Sequence, residues 1–132
     1  MKATAIMSGV WICVVACTPL GSTGCSRTSP LRPADAVQAR QALRQALDSW
    51  QQGSAPVRLQ ASEPPIHVVD HQWRNGYQLV RYQLGSDRPL GANLRCRVQL
   101  SLKNGRGKPL QKQAIYSVGT SPVLTVVREE DP

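Results

Sequence analysis

His67 and His71 bracket Asp70 and are the only imidazoles in the chain. In extended backbone, positions 67, 69 and 71 share a face, so the two rings would stand about 7 Å apart, a pair that needs a third ligand to close a zinc site. No third ligand is placed by spacing. Pro64-Pro65 and Val68-Val69 favour strand over the helix on which an i, i+4 histidine pair suits zinc better. The histidines are therefore expected at the surface or at a sheet edge, with no metal and no cofactor. The carboxylates are scattered. Asp35 reads as a helix cap, Asp48 as the partner of Arg44 one turn back, Asp87 as a loop residue, and Asp70 on a strand would point away from its neighbour His71. Neither a Gly-x-Ser-x-Gly elbow, a phosphate loop nor a dinucleotide fingerprint occurs in the sequence, so this inventory points away from an enzyme.

The other chemistry available is electrostatic. Sixteen Lys and Arg face eight Asp and Glu, for a net charge of +8, and the excess is concentrated late in the chain. From 92 to 127 the charged residues are Arg95, Arg97, Lys103, Arg106, Lys108 and Lys112, with no acid among them. Alternation along one strand puts Arg95, Arg97 and Lys103 on a common face. Such a stripe is either a solvated surface guarding a sheet edge or a docking face for an acidic protein, a glycan or an anionic lipid headgroup. With only six aromatics and no Phe, the chain lacks the interleaved rings that stack on bases, and nucleic acid is not expected as a partner. Trp50 and Tyr116 are read as core, Trp73 and Tyr77 as partly exposed beside a turn.

These side chains need elements to hold them. Ala36, Ala39, Leu43, Ala46, Leu47 and Trp50 recur at helical spacing, with Asp35 and Gln38 as a capping pair and Gly53 as the stop. The face is mostly Ala, which lets a helix lie close to a sheet. A short strand at Ile66-His67-Val68-Val69 is expected to run on into Asp70-His71-Gln72-Trp73, and Asn75-Gly76 is a turn signal before a strand at 77–84. The clearest pattern follows: Leu94, Cys96, Val98, Leu100 and Leu102 alternate with Arg95, Arg97, Gln99, Ser101 and Lys103. A turn at Asn104-Gly105-Arg106-Gly107-Lys108 folds this strand onto 110–118, and a last strand spans 123–128. The fold class is thus α+β, one N-terminal amphipathic helix on a curved antiparallel sheet of four to five strands.

The N-terminus supplies an address. Met1-Lys2 precedes fourteen apolar or small residues, Ala3 to Ala16. As a helix these would reach only about 21 Å, short of a roughly 30 Å hydrocarbon core, so residues 1–16 read as a signal peptide. Val14-Val15-Ala16-Cys17 resembles the bacterial lipobox, which implies acylation of Cys17 and anchorage in the cell envelope. An ordinary cut after Ala16, giving a soluble secreted or periplasmic protein, is the alternative. By resemblance to Gram-negative lipoproteins, Thr18 after the cysteine implies sorting to the outer membrane. Cys25 follows a small residue but lacks the aliphatic one. Residues 17–32 form a Ser-, Thr-, Gly- and Pro-rich tether, 33–128 a single domain and 129–132 an acidic tail. Cys25 and Cys96 either bridge or stay apart as a tether thiol and a buried one.

Asp48-Ser49-Trp50-Gln51-Gln52-Gly53 followed by Leu59 resembles the helix exit of cystatin-like and nuclear-transport-factor-like domains, in which a long helix lies in a curved sheet. The run from Val118 to Arg128 is similar to the tails of small planctomycete-like lipoproteins, a family that implies no activity. The expectation is an exported, lipid-anchored envelope protein with a non-enzymatic binding domain. A small-molecule or polyanion-binding module is the alternative, and an enzyme of nuclear-transport-factor-like fold a further one.

Overall fold

A computed structural model of the chain describes residues 32–130, preceded by Gly9 and Gly24 alone. The expected signal peptide, apart from Gly9, and Cys17 and Cys25 lie outside the described residues, and no helix among those described is long and apolar enough to cross a membrane.

Helix α1 (Ala36–Gln51) starts where the Asp35 carboxylate accepts from the amides of Val37 and Gln38, at 3.0 and 3.1 Å, removing two of the unpaired donors of a helix start. It ends at Gly53, whose φ of 82° is left-handed. Its Ala-rich stripe of Ala39, Ala42, Leu43, Ala46, Leu47 and Trp50 is buried. A 3-10 turn (Pro56–Ala61) leads to strand β1 (Ile66–Val69), a one-turn helix α2 (His71–Arg74) and strands β2 (Gln78–Leu90), β3 (Asn93–Lys103), β4 (Pro109–Gly119) and β5 (Leu124–Arg128). The sheet order is β1-β5-β4-β3-β2. The α+β class is as the sequence implies.

Four polar ties fix the helix on the sheet. Arg40 pairs with Asp87, its Nη2 2.9 Å from Oδ1; the Tyr82 hydroxyl donates to Asp48 at 2.6 Å; Gln51 donates to the Val80 carbonyl at 3.0 Å; and the Trp50 indole donates to the Tyr77 carbonyl at 2.7 Å. Numbers rise along α1 as they fall along β2, so the helix runs antiparallel to that strand. Asp48 is thereby engaged across the interface rather than with Arg44, and burial together with that carboxylate pushes the Tyr82 phenol up to about 12.

Three local expectations are corrected. Asp70 does not continue β1: its carboxylate accepts from the amides of Gln72 and Trp73, at 2.9 and 3.1 Å, and turns the chain into α2. A side-chain cap that satisfies two amides locally outweighs the preference of Val68-Val69 for more strand. The strand expected at 77–84 extends to Leu90, with register shifts at Leu79/Arg81 and Leu84/Asp87, so Asp87 is a strand residue facing the helix and not a loop residue. The sheet is mixed, because β1 pairs parallel with β5 while the other neighbours are antiparallel. β5 returns beside β4 with its far edge unpaired, and β1 fills that edge running in the same direction.

The core lies between α1 and one sheet face: Leu94, Cys96, Val98, Leu100 and Leu102 of β3, Ala114, Tyr116 and Val118 of β4, Leu124 and Val126 of β5, and Ile66 of β1. Cys96 is a buried free thiol, and burial pushes it up to about 11. Trp73, expected to be partly exposed, is only 7% exposed. It stacks on Trp50 with ring centroids 5.3 Å apart and planes 9° apart.

Candidate functional site

The second face of the sheet has no layer on it among the described residues. Strand register orders this open face. Val69 of β1, Val127 of β5, Ser117 of β4, Arg95 of β3 and Arg88 of β2 lie side by side across all five strands. One rung along, Arg97 stands opposite Ile115. Further along, Gln113, Gln99 and Gln83 form a neutral row, and then Gln111, Ser101 and Arg81. The cations are thus gathered at the β3 and β2 side.

Arg88, Arg95 and Arg97, with Ser86, Asp87 and Ile115, line a depression of about 320 Å³. The bulge in β2 after Leu84 makes it, since one extra residue there, Gly85 and Ser86 together facing the single Arg97, bends the strand and re-aims Arg88 towards Arg95. Gly85 permits the close approach: a Cβ at this position would lie 3.1 Å from the Arg97 carbonyl oxygen. The Asp87 carboxylate is turned to the other face, where its bond to Arg40 holds it below its ordinary range. Glu129, just past β5, places its carboxylate on the Arg95 fork, with Nε 2.9 Å and Nη2 2.6 Å from Oε2. Hydrogen bonding to that carboxylate is the main cause of a raised Arg95 pKa. Among the described residues, Arg88 and Arg97 have no carboxylate partner.

The six cations proposed from sequence are therefore divided. Arg95 and Arg97 come together, as alternation requires. Lys103 shares their face but sits eight residues along β3 from Arg95, about 27 Å at strand rise, beyond any common small ligand. Arg106 and Lys108 are exposed in the β3–β4 turn. Lys112 lies opposite the core residue Leu100 and so belongs to the other face. Arg88 and Arg81 were not legible as part of this face, because the bulges in β2 break the period-two pattern that would have marked them.

Two further polar constellations exist. Asp70, Gln72, Tyr116 and Arg128 form a buried cluster, each at most 7% exposed. The Tyr116 hydroxyl donates to Asp70 at 2.6 Å, Arg128 donates to Gln72, and Arg128 Nη1 is 3.6 Å from Asp70 Oδ1. Its residue types are those of acid-base chemistry, but no buried side-chain polar atom in the described residues is left without a partner, so the cluster offers nothing to a solute. It ties α2 to β4 and β5. His67 and His71, both exposed, lie on β1 and at the start of α2, and so do not share a strand face. No group of three or more His, Cys, Asp or Glu among the described residues is arranged to hold a metal ion. The Trp50-Trp73 pair has both indole N–H groups bound to carbonyls, those of Tyr77 and Ser54, and acts as core.

Fold and face together define an α+β domain, one main helix on a five-stranded mixed sheet, whose second sheet face is uncovered among the described residues and basic at its β2–β3 side. Comparison of the chain with protein-family models, curated proteins and solved structures found no match.

Proposed function

We propose that this chain is an exported envelope protein, anchored by lipid on Cys17, whose domain binds an anionic partner through the open sheet face without catalysing a reaction. The observation that carries the binding half is the uncovered face on which Arg88, Arg95 and Arg97 line one depression. Guanidinium groups stay charged at any working pH and present donors in a planar fork suited to oxyanions. The lipobox-like Val14-Val15-Ala16-Cys17 supports the address, and an envelope rich in anionic lipid and glycan supplies partners of the right sign. A non-catalytic role is favoured by the sealing of Asp70 and Tyr116 inside a satisfied network.

Two measurements test this reading. Retention of the purified full chain on immobilised heparin and polyglutamate is expected to weaken steeply as salt rises, since contacts between exposed charges are screened within about 8 Å at physiological ionic strength. The Arg95→Glu/Arg97→Glu double variant is expected to lose retention while still unfolding cooperatively, at a cost of about 1–2 kcal/mol because reversal replaces the part-buried Arg95–Glu129 pair by two like charges. Salt-independent retention, or retention by the double variant, contradicts the reading. For the anchor, fatty-acid label is expected in the wild type and absent from Cys17→Ser; label kept by the variant would move the anchor to Cys25 or refute the lipobox.

A further inference from the structure

We infer that the depression between β2 and β3 is a phosphate-type oxyanion site, with Arg88 and Arg97 as the binding forks and Glu129 as an internal carboxylate holding Arg95 in reserve. The inference rests on the anionic-partner reading above and names the chemistry of the ligand. Three arginines line one depression of about 320 Å³, and among the described residues only Arg95 of the three has a carboxylate partner. A planar carboxylate accepts two parallel N–H bonds from one guanidinium in its own plane, and Glu129 does this with Arg95, Oε1 accepting from Nε and Oε2 from Nη2. Arg88 and Arg97 remain as two further forks, borne on neighbouring strands, Arg97 opposite the β2 bulge and Arg88 just past it. A tetrahedral oxyanion, with three or four oxygens pointing in different directions, offers a full pair of acceptors to each of two forks set at an angle, whereas a carboxylate holds its two oxygens in one plane and must share them. Ser86, at the rim, adds a hydroxyl donor of the sort found in phosphate sites. Phosphate also carries close to two negative charges near neutral pH, matching the two unpaired cations.

The lining carboxyl groups agree with this assignment. Asp87 is committed to Arg40 on the far side of the sheet, so its charge is already balanced. Among the described residues, Glu129 is the acid that competes, and it stands on Arg95 rather than between Arg88 and Arg97. Removing its charge is therefore expected to improve binding, whereas a purely structural ion pair would leave binding unchanged.

Calorimetric titration of the full chain, kept in a non-ionic detergent, with inorganic phosphate and with acetate at equal ionic strength tests the site. Phosphate is expected to bind more tightly than acetate. Arg88→Ala and Arg97→Ala are each expected to weaken phosphate binding about tenfold or more, as loss of a charge-assisted pair of hydrogen bonds does. Arg106→Ala, in the hairpin turn, is expected to change it by less than about twofold, and Glu129→Gln to tighten it about threefold, one solvent-screened charge having been removed. Detergent micelles doped with phosphatidic acid form the second arm. Tighter binding there than to inorganic phosphate, with the same order of variants, assigns the site to a lipid headgroup; equal binding assigns it to the phosphate group whatever its bearer. Equal affinity for acetate and phosphate, or equal losses in Arg97→Ala and Arg106→Ala, overturns the inference. If that happens while heparin retention stays salt-sensitive and dependent on Arg95 and Arg97, the anionic-partner reading survives; if retention is absent as well, both fail.

Discussion

Replacing Asp70 with Ala is expected to destabilise the domain by about 3–5 kcal/mol, the scale for breaking a buried ion pair from one side. Asp70 is 1% exposed, and its two oxygens accept from three donors, the amides of Gln72 and Trp73 and the Tyr116 hydroxyl, while Arg128 Nη1 stands 3.6 Å away as the opposite charge. The variant would leave the Arg128 guanidinium, 6% exposed, with the neutral Gln72 carbonyl as its remaining side-chain partner in that cluster. It would also orphan the Tyr116 hydroxyl and uncap α2. Urea unfolding measures the loss through the shift of midpoint at constant slope. Because most of the cost is an uncompensated charge, adding Arg128→Met to Asp70→Ala should restore part of the stability, even though it removes a second native side chain. A double variant less stable than the single one would mean that Asp70 acts mainly as a cap.

Tyr116 gives the same cluster a pH signature. Burial first, and the Asp70 charge and hydrogen bond next, push its phenol well above the ordinary 10.0. Folding thus favours the protonated phenol. The resulting stability is fully present below the unfolded-state value near 10.0 and is lost as pH rises beyond it, because only the unfolded chain can release the proton easily. A Tyr116→Phe chain is expected to keep only the smaller alkaline loss due to Tyr82 and Cys96, whose phenol and thiol are also raised.

How much of this was legible depends on how local its cause is. Helix α1 and strand β3 were readable because each repeats one period against one face, and Asp35 and Gly53 mark the helix ends within the sequence itself. The pairing of Arg95 with Arg97 on the open face followed from the same alternation. Strand β2 was readable only in part. Its two register shifts change which parity faces the core, so Arg81 and Arg88 on one side and Asp87 on the other do not fit a single alternation. The turn at Asp70 was a contest between a capping carboxylate and two β-branched residues, decided by amide satisfaction that only the folded backbone reveals. Arg128 was the least legible: it closes the last strand beside an acidic tail, yet β5 alternates with Leu124 and Val126 inward, and the same parity buries Arg128, where it donates to Gln72. Long-range partners such as these, 46 and 56 residues apart, leave no periodic trace.

Trp50→Ala is the second large effect, expected at about 3–5 kcal/mol from lost burial and the cavity left under the helix end. Trp50 is 2% exposed, stacks on Trp73 and donates to the Tyr77 carbonyl, so truncation also leaves that carbonyl without its partner and Trp73 without its facing ring. A double-mutant cycle with Trp73→Ala should return a coupling of about 0.5–1.5 kcal/mol, the range for aromatic pairs beyond area burial. The cycle separates two roles for the tryptophans. If they are core, anion binding by the folded fraction of Trp50→Ala, measured in the cold where the variant stays folded, should equal that of the wild type. The reason is geometric: the pair lies at the exit of α1 on the helix side of the sheet, whereas Arg88, Arg95 and Arg97 line a depression on the opposite face. A sheet built this way divides its labour by parity, odd positions of β3 such as Arg95 and Arg97 meeting solvent and even positions such as Cys96 and Val98 meeting the helix. Substitutions on the two faces should then act additively, stability moving with one and binding with the other. A loss of anion affinity in Trp50→Ala comparable to that in Arg97→Ala would show that the helix layer is part of the site.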